Sequence, residues 1–164
     1  MKKIIISGKH NNDMLNKTEK KALRQNIKYD EPLHDEQVKL INKYYLEQDD
    51  EMKPYITKEI DAKINGYRAQ DNKRKLECKL INREEIIEKL LISRLSCNYC
   101  KNQVNVLFKE VIDSKQCTLD RIYNNIGHSK NNTVICCLKC NLERRRLDSD
   151  KFKFTKQLKI KKTD

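Results

Sequence analysis

Apolar residues recur at helical spacing through the first half of the chain. Val38, Ile41 and Tyr45 fall on one face of residues 35–48, and Asp35 and Glu36 sit where a helix N-terminus favours negative charge. Pro54 marks a break, Thr57 has the character of an N-cap, and Ile60, Ile64 and Tyr67 carry a second stripe across Gly66. Beyond the charged stretch 71–75, a third stripe runs through Leu76, Leu80, Ile87, Leu91 and Leu95, reinforced by Ile86 and Leu90. These faces read as packing surface. At Ser96 the texture changes: cysteines, asparagines and β-branched residues predict short strands at 104–108, 118–122 and 133–136, with a helix from Leu138 to about Leu147. The pattern predicts an α+β fold in four parts: a basic, loosely ordered arm over 1–34, a helical accessory segment over 35–95, a compact module over 96–150 and a basic tail over 151–164.

Composition adds two constraints. With 37% hydrophobic and 37% charged residues and no Trp, 164 residues offer little apolar surface to offset chain entropy, so something besides a core should stabilise the module. The net charge of +12 suits a polyanionic partner, although a Lys- and Asn-rich composition of the kind an AT-rich genome produces accounts for part of it. The basic excess lies at both ends, whereas 29–55 is net acidic. No apolar run approaches the ~20 residues of a membrane span, and residues 1–10 lack the apolar stretch of a secretory signal. An intracellular, non-secreted location is therefore expected, in the cytoplasm or nucleus of a host cell or associated with a virus. There thiols stay reduced and paired cysteines serve metals more often than disulfides.

Cys97 with Cys100 and Cys137 with Cys140 are two pairs of equal spacing that lie far apart in sequence. Four thiolates at this spacing can close a tetrahedral Zn²⁺ site that clamps two loops and leaves no open coordination position, hence a structural ion. Cys136 is assigned to the strand, and Cys78 and Cys117 are expected not to be ligands.

Between and after the pairs stand Thr118-Leu119-Asp120-Arg121-Ile122, Ile126-Gly127-His128-Ser129, Asn131-Asn132-Thr133-Val134-Ile135 and Cys140-Asn141-Leu142-Glu143-Arg144-Arg145. Over roughly 96–147 these residues resemble the HNH endonuclease superfamily, the ββα-metal or His-Me finger nucleases. The likeness is greatest to four-cysteine members with Leu-Asp-Arg-Ile on the catalytic strand, a pattern met in phage, large-virus and mobile-element proteins. The resemblance implies a zinc-knuckle-supported ββα-metal module preceded by a mainly helical segment. It implies hydrolysis of DNA phosphodiester bonds with one catalytic Mg²⁺ or Mn²⁺ ion between the first strand and the helix start. Asp120 and Asn141 would be that ion's ligands, hard oxygens of the kind such ions take. Away from the resemblance, Asp120 reads as a surface carboxylate and Asn141 as a helix cap.

Arg121 departs from the family, because it occupies the position of the usual general-base His and a guanidinium cannot accept a proton near neutral pH. It is expected to clamp phosphate or stabilise transition-state charge. The base is then His128, Tyr123, Tyr99 or water acting on the metal-bound phosphate; Gly127-His128 reads as the exposed end of a loop. Asn132 matches the family's central Asn, which positions the base, and reads equally as a loop cap. Arg144 and Arg145 are candidate DNA contacts on the last helix of the module. The expected partner is DNA, duplex or branched; a homodimer is left open. The alternative is a zinc-stabilised nucleic-acid-binding or packaging protein that keeps this fold without turnover.

Overall fold

The computed structural model describes residues 22–25 and 27–158. Helix α1 (His34–Tyr45) buries Gln37 and Ile41. Helix α2 (Lys53–Arg74) begins one residue before Pro54, which suits a first turn because its missing N–H would have no partner there. The expected break thus lies just before Pro54, between Tyr45 and Lys53, and Thr57 is inside the second helix rather than its cap, its hydroxyl donating to the Lys53 carbonyl at 2.9 Å. Ile56, Ile60, Ile64 and Tyr67 form the buried stripe of α2, which ends at Lys75 in the left-handed conformation. Helix α3 (Arg83–Ser93) starts at Asn82, whose side chain accepts from the Glu85 N–H while Glu85 accepts from Asn82, a capping box. Only Ile86, Ile87 and Leu90 of the predicted third stripe form its buried face; Leu76 and Leu80 belong to the non-helical connection before it.

Strands β1 (Cys117–Arg121) and β2 (Thr133–Cys137) pair antiparallel, Leu119 opposite Ile135 and Asp120 opposite Val134. The predicted strand at 104–108 does not form. The Val106 and Leu107 N–H groups donate to buried Gln37 Oε1, and Val104 N–H goes to the Leu95 carbonyl, so a side chain takes the bonds that a neighbouring strand would need. β2 runs directly into α4 (Leu138–Arg144), completing two strands and a helix. A further helix, α5 (Ser149–Gln157), occupies the start of the predicted tail. Asp148 caps it, and Phe152 packs edge-on against Tyr99.

A two-stranded sheet is marginal alone, and here the helices cover it. One apolar cluster joins Ile41 of α1, Ile56 to Tyr67 of α2, and Ile86 and Leu90 of α3 to Leu119 and Ile135 of the sheet. The Leu119 N–H donates to the Tyr67 hydroxyl at 2.8 Å, which fixes α2 across β1. Residues 22–25 pack as well, with Arg24 paired to Glu59 at 2.7 Å and its guanidinium over the Phe108 ring. The rest of the expected N-terminal arm up to residue 21, and the tail beyond 158, lie outside the described residues. Among the described residues no helix is long and apolar enough to cross a membrane.

Candidate functional site

Two turns bring the cysteine pairs together. Cys97 and Cys100 follow α3 in a turn closed by Lys101 N–H to the Cys97 carbonyl at 3.0 Å and by Cys97 N–H to the Asn102 carbonyl at 2.8 Å. Cys137 caps α4, its sulfur accepting from the Cys140 N–H at 3.4 Å. All four sulfurs lie within 4.8 Å of one another, and Cys100 and Cys137 are 3.9 Å apart. A tetrahedral ion with Zn–S bonds of about 2.3 Å needs sulfurs about 3.8 Å apart. The set can therefore hold a structural ion such as zinc. As free thiols Cys97 and Cys137 are linked: a hydrogen bond from Cys137 lowers Cys97 to about 4, and the same bond raises Cys137. Burial pushes Cys140 up to about 12. Cys117 and Cys136 stand apart on the strands, and Cys78 lies against Asp71 at 3.9 Å.

β1 carries the two central candidates side by side, and alternation along a strand sends them to opposite faces. Asp120, 7% exposed, faces α4. Arg144, fully buried, donates to both carboxylate oxygens, to Oδ1 at 3.1 Å and to Oδ2 at closer range. The Tyr99 hydroxyl donates to Oδ2 at 2.6 Å. Arg144 also reaches the carbonyls of Arg121 and Leu147. Arg144 therefore presents no atom to DNA, contrary to expectation, because its guanidinium neutralises Asp120 inside the fold. Tyr99 is no base either: burial and its hydrogen bond to Asp120 raise its pKa.

These contacts bear directly on the expected Mg²⁺ or Mn²⁺ ion. Both Asp120 oxygens are held by a buried guanidinium and a phenol, and the Asn141 amide donates to Thr118 Oγ1 at 3.1 Å and the Leu119 carbonyl at 3.4 Å. A carboxylate already neutralised in this way does not fit a hard divalent cation, which would have to displace Arg144 and Tyr99.

On the opposite face Arg121 meets α2. Its Nη1 lies 4.0 Å from Asp71 Oδ1, and the same oxygen accepts from His128 Nδ1 at 2.8 Å. Asp71 Oδ2 accepts the His128 backbone N–H at 2.7 Å, and the His128 carbonyl accepts from Ile81 N–H at 2.8 Å. The imidazole stacks on Tyr67 with ring centroids 4.4 Å apart. His128 is thus 3% exposed rather than at the tip of an exposed loop. Desolvation lowers its pKa below 6.5, against Asp71, whose hydrogen bond and charge raise it. The ring is held neutral near pH 7. A carboxylate only accepts, so Nδ1 carries the proton and Nε2 the lone pair. Among the described residues Nε2 has no hydrogen-bond partner, and no buried side-chain nitrogen or oxygen is left without one, which makes Nε2 the reachable edge of the ring.

Gly127 allows this approach, since a Cβ there would run into Cys78 Sγ first and would lie 2.8 Å from Asp71 Oδ2. Asn132 takes the loop-cap role: its amide donates to the carbonyls of Tyr123, Ile126 and Gly127 and accepts from the Tyr123 N–H. It shapes the loop that presents His128. Tyr123 and Arg145 are exposed.

Sequence reasoning missed Asp71, which lies in the charged end of α2 and carries no local signal of its role. A groove over the cysteine cluster is lined by Lys101, Lys115, Lys139 and Lys156, with no carboxylate in its lining. Part of that charge would offset a four-thiolate metal site, and Lys156 pairs with Glu143. In comparisons with known proteins, no family model, no curated protein and no solved structure matches the chain.

Proposed function

We propose that the chain is a zinc-stapled DNA endonuclease of the HNH type that hydrolyses phosphodiester bonds, with His128 as general base and Arg121 as the phosphate contact. The observation that carries this reading is that His128 and Arg121 converge on one oxygen of Asp71, which sets a neutral imidazole beside a fixed positive charge. His128 Nε2 takes a proton from the attacking water as its oxygen bonds to phosphorus. The phosphorus–oxygen bond to the leaving sugar breaks with its electron pair, and that oxygen takes a proton from the imidazolium or from solvent. Arg121 offsets the charge that develops on the non-bridging oxygens. The lysine groove and the exposed Arg145 supply sequence-independent affinity for the DNA backbone.

The ion pair on Asp120 favours a second reading, a nucleic-acid-binding protein with this fold and no turnover. Plasmid cleavage by zinc-loaded protein, with and without Mg²⁺ or Mn²⁺, separates the two. The endonuclease converts supercoiled plasmid to open or linear forms and loses this on Arg121→Ala. Salt-sensitive DNA binding without cutting under any of these conditions establishes the second reading.

A further inference from the structure

We propose that Asp71, from helix α2, is the positioning residue of the general base, so that the helical segment before the zinc module completes the reactive site. The inference deepens the endonuclease reading and rests on it. Asp71 uses both oxygens on one residue: Oδ1 holds the His128 ring and Oδ2 the His128 backbone N–H. The Ile81 N–H, at the end of the connection from α2 to α3, holds the His128 carbonyl, and Tyr67, one helical turn before Asp71, lies flat against the ring. The helical segment thereby fixes the backbone, plane and tautomer of a residue that lies in the loop joining the two strands. For packing alone, an apolar side chain at position 71 would serve without placing a carboxylate inside the fold.

A carboxylate hydrogen-bonded to one imidazole nitrogen sets the other as the acceptor, and losing the carboxylate leaves a wrong or mixed tautomer with the geometry nearly intact. The titratable and charged groups facing His128 are Asp71 and Tyr67 from α2 and Arg121 from β1, with Cys78 beside Asp71, while Asp120 acts on the ring by its charge from the other face of β1. Of these, Asp71 and Asp120 favour the imidazolium and Arg121 opposes it.

The test is the pH profile of DNA cleavage by zinc-loaded wild type and Asp71→Asn, together with ¹⁵N NMR of the imidazole in the wild type. Asp71→Asn is expected to cut on the order of 10²-fold or more slowly at neutral pH. Its acidic limb should move to lower pH, because a group that raised the His128 pKa is gone. NMR of the wild type should show a neutral ring protonated on Nδ1 at pH 7. An unchanged limb in a folded Asp71→Asn, its plateau altered or not, overturns the positioning role while leaving the endonuclease reading in place. So does a wild-type ring protonated on Nε2, which decides the matter even if the variant does not fold. A wild type that binds DNA but does not cut it overturns the endonuclease reading, and the base role with it.

Discussion

The two faces of β1 pose the same problem, an arginine and a carboxylate buried together, and resolve it differently. On one face the strand supplies the carboxylate, Asp120, and α4 supplies Arg144; on the other the strand supplies Arg121 and α2 supplies Asp71. Asp120 is saturated, since two guanidinium contacts and a phenol occupy its oxygens. Asp71 gives its short contacts to His128 and keeps Arg121 at 4.0 Å, which leaves the imidazole with a free acceptor. Satisfied buried pairs hold structure, whereas a pair that orients a third group without consuming it can do chemistry. The first face is a fastener between β1 and α4, and the second is where the proposed chemistry would take place.

The sharpest break of this comparison removes what holds both faces. Chelation, or Cys97→Ser with Cys137→Ser, should unfold residues 96–147, because binding to a structural zinc site is worth on the order of 10 kcal/mol and most domains have little more than that in total. Thermal unfolding with metal analysis should show about one zinc per native chain and loss of the transition after chelation.

Next in size is Asp120→Ala, which strands a fully buried Arg144 and should cost roughly 3–5 kcal/mol in denaturant unfolding. If Asp120 instead served as a catalytic ligand, the variant would lose cleavage and keep its stability. Gly127→Ala should cost about 1–3 kcal/mol, because the added methyl forces Cys78 and Asp71 aside, and cleavage should fall with it.

The smallest expected effect is a pH dependence of stability. The folded pKa of His128 lies below 6.5, so on acidification the unfolded chain takes up the proton first. The contribution is complete above pH 6.5 and is lost as pH falls toward the folded value. Unfolding at pH 8 and pH 5.5 should show this loss in the wild type and less of it in His128→Asn.

Much of the four-cysteine module was legible because its signals are local. The cysteine pairs stand at fixed spacing, β-branched residues mark 118–122 and 133–136, and β2 passes straight into a helix that Cys137 itself caps. Features set by distant contacts were not legible. Residues 104–108 have strand composition, yet Gln37, about 70 residues away, takes the Val106 and Leu107 N–H groups. Arg144 looks like its exposed neighbours Arg145 and Arg146 in sequence, and only the helix phase turns it toward Asp120. His128 looked exposed because nothing near it announces Asp71, 57 residues earlier. The nearest clue was Gly127, a residue without a side chain where the loop meets α2. Helix α5 was missed although Asp148 and Ser149 stand where a helix start would put them, because the lysines that follow suggested a solvated tail.

The account stands most directly on His128. The measurement is cleavage of DNA by zinc-loaded His128→Ala beside wild type, each shown by thermal unfolding to be folded. Cutting by the wild type and a loss of 10²-fold or more in the variant is the predicted result. Equal cutting by the two proteins would contradict the account and return the chemistry to the Asp120 face.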